Sequence, residues 1–470
     1  MHKSEQNGFG SRLMAIMISL IFAAVIAVGC NSDDKDQKIV LINLGDSYAN
    51  GVQSGRGNIN QYTQVHSYAQ VIADQMKESA NLIWNNPLLD MKKKRLDNTV
   101  IPYNVSVDGA TAQSLLKETT DENQYMKELL QPIPEKIGSA ITQLEAAEYV
   151  AGLHDDDDIK IITLLIGGND FMGIVNAGGG TELTAMHINA FLSDKNINGE
   201  PLNKGRDLNS VKQNLTTIVN RLKAIPNSHI FIGNLPSVTN IAGLFNAQDI
   251  ERLAVYDNPY VNALQDGEHI GFAPVGGFGV LPGLGGALAA DDATLNATIQ
   301  GTLKAGGNDA FSITRDEIAL IDQQLSAVND HIARLADESS NVYMVDLIAS
   351  LNSLKDGKIK IGKDTIGRGY GAGFFSLDGF HPSHTGYALI ADEFIKKIND
   401  SYILDPIPGV DLEAIWKTDP YRDNDGDGYV PGPADLSIIN PMFISYLDCD
   451  DNDSTVYAPF PTAGMTGTCQ

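Results

Sequence analysis

Basic side chains are scarce in this chain of 470 residues. Lysine and arginine number 33 against 59 aspartates and glutamates, so the formal net charge is −26. Nucleic acid is therefore not the expected partner, because binding to its phosphates requires positive surface charge. The composition is globular, with 43% hydrophobic and 20% charged residues. The chain is long enough for one large core plus a smaller module.

Long hydrophobic runs are also absent after the N-terminus. The prominent run, residues 13–28, is too short for a comfortable membrane span. Lys3 and Arg12 precede it, and this order of charge and apolar run fits the core of a signal peptide. We therefore predict a signal peptide over residues 1–29.

Cysteine occurs only three times. Ala27-Val28-Gly29-Cys30 resembles the lipobox of bacterial lipoproteins, although Ala27 stands where leucine is more usual. The resemblance implies lipidation of Cys30, a tether over residues 30–37 and an exported protein anchored in the outer membrane. The alternative is a plain signal peptide followed by a chance cysteine. If Cys30 carries lipid, Cys449 and Cys469 remain in an exported chain, and we predict a disulfide between them.

Apolar, β-branched runs predict the strands of a buried parallel sheet. They are Lys38–Leu44, Val100–Val107, Ile159–Ile166, His229–Ile232 and Asn341–Val345. Helical stripes lie between them, one of which comprises Leu208, Val211, Leu215, Ile218 and Leu222. This alternation predicts an α/β fold of three layers with right-handed crossovers.

Four polar blocks follow predicted strands or precede the last predicted helix. They are Gly45-Asp46-Ser47, Asp108-Gly109-Ala110-Thr111, Gly167-Gly168-Asn169-Asp170 and Asp378-Gly379-Phe380-His381-Pro382. Because the carboxyl ends of parallel strands lie on one edge of a sheet, we expect these blocks to meet. The sequence therefore predicts one polar site at that edge.

The residue types in these blocks fit acyl transfer. Ser47 is a candidate nucleophile, which needs a base such as His381 to take its proton. Asp378, three residues earlier, can hold the other ring nitrogen of His381. The N–H groups of Ser47 and Gly109 and the side-chain amide of Asn169 are candidate donors for an oxyanion.

The chain resembles the SGNH, or GDSL-type, serine hydrolases, on Gly45-Asp46-Ser47-Tyr48, Gly109, Gly167-x-Asn169-Asp170 and Asp378-x-x-His381-Pro382. Tyr48 stands where leucine is commoner. The resemblance implies a flavodoxin-like parallel sheet and ester hydrolysis without a catalytic cofactor. Ser47, His381 and Asp378 would form the triad, and Ser47, Gly109 and Asn169 the oxyanion hole. The hydrolase domain would cover residues 38–402, with an insertion at about 241–313.

Several alternatives stay open within this interpretation. His384 could be the base in place of His381, and Asp46 or Asp170 could be a catalytic acid. The turn and loop roles of these two aspartates are favoured over acid catalysis. The uncharged, glycine-rich stretch from Ile270 to Ala290 could form a lid or acyl-binding wall, or it could pack on the core.

The sequence becomes acidic after residue 402, and we predict a small irregular module over residues 403–470. Asp423, Asp425 and Asp427 recur at every second position before Gly428, as at the start of an EF-hand loop. Position twelve of that loop is Ala434, so the chelating glutamate of an EF-hand is missing. Asp448, Asp450, Asp451 and Asp453 could supply the remaining oxygens. The tail resembles thrombospondin type 3-like calcium repeats, which implies Ca²⁺ binding; a disordered acidic tail is the alternative.

Two functions from different classes follow. The first is a surface-anchored serine hydrolase that cleaves carboxylic esters of a lipid, a small molecule or a glycan. The second is a non-catalytic, calcium-dependent binding or adhesion lipoprotein on a hydrolase fold. The complete set of four blocks favours the enzyme.

Overall fold

The computed structural model describes residues 37–55, 58–77, 81–171, 207–237, 240, 244–245, 269–271, 312–313, 315–368, 372–425, 430–435, 447–448 and 450–453. The part from Lys38 onward forms one compact unit. The predictions that concern Cys30, Asp427, Cys449 and Cys469 lie outside the described residues, as does most of the predicted insertion. None of the helices in the described ranges is both long enough and apolar enough to cross a membrane.

The strands are β1 Ile39–Gly45, β2 Leu82–Ile83, β3 Ile159–Leu165, β4 Ser228–Gly233, β5 Leu244–Phe245, β6 His269–Gly271, β7 Ser312–Ile313, β8 Val342–Val345, β9 Ile359–Ile361 and β10 Asp364–Ile366. The helices are α1 Ser47–Asn50, α2 Gln61–Gln64, α3 Tyr68–Lys77, α4 Ser114–Lys117, α5 Gln124–Leu130, α6 Ile133–Ile137, α7 Gln143–Ala151, α8 Leu208–Lys223, α9 Arg315–Asp337, α10 Leu347–Lys355, α11 His384–Asp400 and α12 Leu412–Thr418.

The central sheet has the order β2-β1-β3-β4-β8, and every pair in it is parallel. All residues of β1 are buried, as expected for a parallel strand covered on both faces. Helices α3 and α11 contact the sheet strands on one side, while α7, α8 and α9 form the other helical group. This arrangement confirms the predicted three-layer α/β fold.

The edge beside β1 differs from the predicted strand Val100–Val107. The regular strand there is β2, which pairs only with Ile39 and Val40. Further along β1, residues 103–107 pair with it instead, through an isolated bridge between Asn43 and Asn104. Its backbone hydrogen bonds to β1 include Val105 N–H to the Asn43 carbonyl at 2.9 Å. Two separate segments therefore share one sheet position, and the predicted strand is an irregular extension.

The first part of the predicted tail packs on the core of the preceding domain. Helix α12 contacts α11 and lies beside β9. The side chains of Ile407, Trp416 and Tyr421 are buried, and Trp416 Nε1 donates to Asp364 Oδ2 at 2.8 Å. These contacts attach α12 to the α11 side of the molecule.

Candidate active site

Ser47 lies at the turn that leaves β1. Gly45 has φ +151°, and a Cβ there would collide with the carbonyl oxygen of Leu165 on β3, so glycine is needed where the two strands end. Asp46 then caps α1 by accepting from the N–H of Tyr48 at 3.1 Å. Ser47 is consequently the first residue of a helix, where the backbone N–H has no intrahelical acceptor.

Asp378 and His381 form a buried pair before α11. Asp378 Oδ2 lies 2.6 Å from His381 Nδ1, and its Oδ1 accepts from the His381 N–H at 2.8 Å. Gly55 N–H also donates to Asp378 Oδ2 at 2.8 Å. The carboxylate is therefore held by several donors while it fixes the imidazole ring.

The other ring nitrogen of His381 is in a different situation. Nε2 is buried and makes no hydrogen bond within the described part of the chain. A buried polar nitrogen without a partner is unfavourable, and such groups concentrate at functional sites. With Nδ1 held by Asp378, Nε2 is the nitrogen left to exchange a proton.

The charges of Asp378 and His381 shift the pKa of both groups. Burial favours the neutral forms, but the attraction and hydrogen bond between the two side chains outweigh it. The result is a pKa of His381 above its usual 6.5 and a pKa of Asp378 below its usual 3.8. Asp378 therefore stabilises the protonated imidazole.

Hydrogen bonds join the segment that carries Ser47 to the segments that carry His381 and α11. The Tyr48 hydroxyl donates to the Phe380 carbonyl at 2.6 Å. The Tyr387 hydroxyl of α11 donates to the Val52 carbonyl at 2.6 Å. Neither tyrosine is among the site residues predicted from the sequence; for Tyr48, the departure from leucine at that position was the available signal.

The predicted oxyanion-hole residues lie on the neighbouring loops. Gly109 is exposed and has φ +76°, with open space where a Cβ would be. Asn169 Nδ2 donates to the Ala110 carbonyl at 3.0 Å and to Asp46 Oδ2 at 3.3 Å. The second and third blocks are thus joined to each other and to the turn that carries Ser47.

Asp46 and Asp170 have structural partners. Asp46 holds the turn and contacts Asn169, and burial, together with the nearby charges of Asp108 and Asp170, raises its pKa to about 7 although the Tyr48 N–H and His381 act to lower it. Asp170 Oδ2 accepts from the Ala112 N–H at 3.0 Å. These contacts agree with the turn and loop roles expected for both residues.

His384, the alternative base, has different surroundings. Its ring stacks on His66 with centroids 3.4 Å apart and meets Tyr421 edge-on at 5.9 Å. Burial lowers the pKa of His384 to about 3. Among the described residues, a carboxylate side chain contacts His381 and none contacts His384, so the geometry favours His381 over His384 as the base.

The tail contains a cluster of three carboxylates. Oxygens of Asp423, Asp425 and Asp451 lie within 4.8 Å of one another. Burial and the charges of the other two raise the pKa of Asp451, while hydrogen bonds from Asn424 act to lower it. Asp451 thus joins the first two predicted ligands, whereas Asp448 and Asp450 are outside this cluster.

The chain was compared with protein-family models and with curated proteins. The family model described as GDSL-like Lipase/Acylhydrolase matches residues 41–394. A comparison with curated proteins finds no match.

Three solved structures are similar at low identity. A member of the lipolytic protein G-D-S-L family from Veillonella parvula has 11% identity and a TM-score of 0.33, with 77% of this chain and 98% of that chain covered. A mutant acetyl-xylooligosaccharide esterase from Geobacillus Stearmophilus has 12% identity and a TM-score of 0.32, with 78% and 97% covered. An active-site mutant of a family two carbohydrate esterase from Clostridium thermocellum has 11% identity and a TM-score of 0.30, with 78% and 64% covered.

The family model spans more than half of the chain, and the four polar blocks lie at or near one edge of a parallel sheet. Enzymes of this family hydrolyse esters without a catalytic cofactor. The chain belongs to the GDSL-like lipase/acylhydrolase family and is an ester hydrolase.

Proposed function

We propose that the protein hydrolyses carboxylic esters with Ser47 as nucleophile, His381 as base and Asp378 as the residue that orients His381. The observation that carries this proposal is the buried Asp378–His381 pair, whose Nε2 is left without a partner. Hydrogen bonds from Tyr48 and Gly55 hold the Ser47 segment against this pair.

The reaction follows from these positions. Ser47 Oγ attacks the ester carbonyl while its proton moves to His381 Nε2. The C–O bond to the alcohol then breaks, and the alcohol leaves with that proton. Water, deprotonated in turn by His381, hydrolyses the acyl-enzyme and releases the carboxylic acid and free Ser47. Asp378 stabilises the protonated imidazole in both halves of the reaction.

The developing oxyanion needs donors in place before it forms. The N–H groups of Ser47 and Gly109 and the amide of Asn169 supply them in this proposal. Asn169 Nδ2 has a contact of 3.3 Å to Asp46, longer than its 3.0 Å contact to Ala110. In this proposal the hydrogen of the longer contact, to Asp46, is the one that turns to the substrate oxygen.

Three variants of a soluble form lacking residues 1–30 test the assignment. With p-nitrophenyl butyrate, Ser47→Ala and His381→Ala should each lose at least about a thousandfold in kcat/KM. His384→Ala is the matched control and should stay within about threefold, since His384 stacks on His66. Full activity of Ser47→Ala, or loss of activity only in His384→Ala, contradicts the proposal.

The non-catalytic binding lipoprotein has less support than the enzyme. A calcium-dependent adhesin has no use for a buried histidine with an unpaired nitrogen, whose maintenance is costly. The proposed substrate is a carboxylic ester of a lipid, a small molecule or a glycan.

We further propose that the protein is an exported lipoprotein attached to the outer membrane through Cys30. Ala27-Val28-Gly29-Cys30 supports this, because several acyl chains on one cysteine bind a membrane firmly. Metabolic labelling with a clickable fatty acid should tag the wild type and spare Cys30→Ala. Release of an unlabelled wild type into the medium contradicts the anchor.

The carboxylate cluster of the tail supports a third proposal, a Ca²⁺ site that contains Asp423 and Asp425. Three carboxylates at this separation repel one another unless solvent or a cation intervenes. Oxygen-only ligands suit Ca²⁺. This site would be structural and remote from the chemistry of Ser47.

A further inference from the structure

An apolar cavity extends from Ser47 into the molecule. Its volume is about 110 Å³, and the residues that line it include Ser47, Asn169 and Phe380. The remaining lining is mostly apolar and comes from the end of β3 and the residues after it, the residues after β4, helices α9, α10 and α11, and the segment between β10 and α11. A volume of this size accommodates several carbon atoms, because an apolar cavity of about 150 Å³ in another protein binds benzene.

One face of α10 forms a wall of this cavity. Leu347, Leu351 and Leu354 recur there at helical spacing. They are 4%, 9% and 2% exposed, so the wall is shielded from solvent. The first leucine and the last are seven positions apart on the helix, which corresponds to about 10 Å. The cavity therefore has the length for an extended chain and not only for a methyl group.

Another part of the lining is aromatic. Phe374 and Phe375 are 2% and 4% exposed and meet at a centroid distance of 4.8 Å. A void lined by such groups loses dispersion contacts, and it is also unattractive to water. A ligand that fills it must be apolar.

The position of His381 decides which half of an ester enters. Ser47 and Asn169 line the cavity, while Gly109, Asp378 and His381, which the structure also describes, do not. The leaving alcohol takes its proton from His381, so it must lie on the His381 side of Ser47. The acyl group is then directed the other way, toward the leucines of α10.

We propose that this cavity binds the acyl chain of the substrate, and that the enzyme prefers acyl chains of about four to eight carbons over acetyl. The proposal rests on the proposed function, since it takes Ser47 as the nucleophile. Its chemical basis is that each buried methylene increases transition-state binding about fourfold, up to the length of the cavity. An acetyl group leaves the cavity empty, so it does not gain this increase in transition-state binding.

A p-nitrophenyl ester series from acetate to palmitate tests the proposal on the soluble form. Wild-type kcat/KM should rise at least about tenfold from acetate to hexanoate or octanoate and fall for palmitate. Leu351→Trp fills the cavity, so it should lose at least about tenfold on octanoate and keep acetate within about threefold. Asn352→Trp is the matched control, because Asn352 is exposed on the same helix and should leave the profile unchanged.

Wild-type activity that is highest on acetate and declines with chain length overturns the acyl cavity but keeps the esterase. This outcome does not depend on whether Leu351→Trp folds. Absence of hydrolysis across the whole series overturns the proposed function instead.

Direct binding separates the two failures. Octanoate, titrated calorimetrically into Ser47→Ala, should bind without turnover, and Leu351→Trp should weaken it at least about tenfold. No octanoate binding to Ser47→Ala overturns the cavity assignment, whatever the hydrolysis data show.

Discussion

At the scale of single residues, Tyr48 connects the segment that carries Ser47 to the segment that carries His381. Its backbone N–H is capped by Asp46, and its hydroxyl donates to the Phe380 carbonyl at 2.6 Å. Its ring also lies edge-on to Phe380 with centroids 5.9 Å apart. One side chain next to Ser47 therefore sets the position of the residue next to His381.

Tyr48→Phe should lower kcat about tenfold and change KM little, because it removes the hydroxyl contact and keeps the ring. Steady-state kinetics with p-nitrophenyl butyrate measures this. Tyr62→Phe is the control, since the Tyr62 side chain is 45% exposed. Equal kinetics for Tyr48→Phe and wild type would show that the hydroxyl does not position His381.

The Asp378–His381 pair predicts a pH dependence. In the proposed mechanism His381 must be neutral to accept a proton, and the pKa of His381 is raised above its usual 6.5. Activity should therefore fall as pH drops through this raised pKa, on the acid side of the profile. Asp378→Asn removes the attraction that raises the pKa of His381. The fall of activity on the acid side of the profile should therefore move to lower pH, while the maximum rate falls. A kcat/KM profile between about pH 5 and pH 9 measures both, and an acid limb unmoved in Asp378→Asn contradicts the pairing.

At the scale of elements, α12 supports the helix that follows His381. Asp419, which follows α12, accepts from the N–H of Thr385 in the first turn of α11 at 2.7 Å. Trp416 of α12 is 6% exposed, and the guanidinium of Arg422 lies 5.1 Å from its ring. A segment of acidic composition thus stabilises the N-terminal end of α11, which follows His381.

Trp416→Ala should lower the free energy of unfolding by about 3–5 kcal/mol, the usual cost of a large aromatic removed from a core. Urea denaturation measures the change. Trp84→Ala is the matched comparison; Trp84 is only half-buried, so its loss should cost less. If Trp416→Ala is no more destabilising than Trp84→Ala, α12 is not part of the core.

At the scale of the whole molecule, the net charge of −26 is distributed unevenly. Residues from 405 onward contain twelve acids against Lys417 and Arg422. Within this acidic end, Val430 and Leu447 form a β-bridge. Nearby, the Asn424 N–H donates to Asp451, so Asp451 lies beside Asn424. A cation would offset the repulsion that this arrangement creates.

Removal of calcium should loosen the tail and spare catalysis. Limited proteolysis should cut the tail faster in EDTA than in Ca²⁺, with unchanged hydrolysis of p-nitrophenyl butyrate, since Asp378 and His381 bind no metal in this proposal. Asp425→Asn should mimic EDTA, and Asp405→Asn, at an exposed position, should not. Identical cleavage rates with and without Ca²⁺ exclude a structural ion in the tail.

The sequence alone determined the features that depend on neighbours along the chain. Buried runs such as Ile159–Ile166 predict parallel strands, because a strand covered on both faces must be apolar throughout. The spacing of three between Asp378 and His381 predicts their contact, which one turn of backbone is enough to make; the structure contains that contact at 2.6 Å. Their catalytic role stays a prediction.

Only the tertiary structure decided what depends on distant segments. Two separate segments pair with the same edge of β1: β2 pairs with its start, and Asn104 forms a bridge to Asn43 further along. The tyrosine contact to Phe380, the packing of α12 and the inclusion of Asp451 in the carboxylate cluster join residues far apart in sequence. The cavity beside Ser47 is of the same kind: its leucines are ordinary core residues in the sequence, and only the fold brings the leucines of α10 into one lining with Ser47.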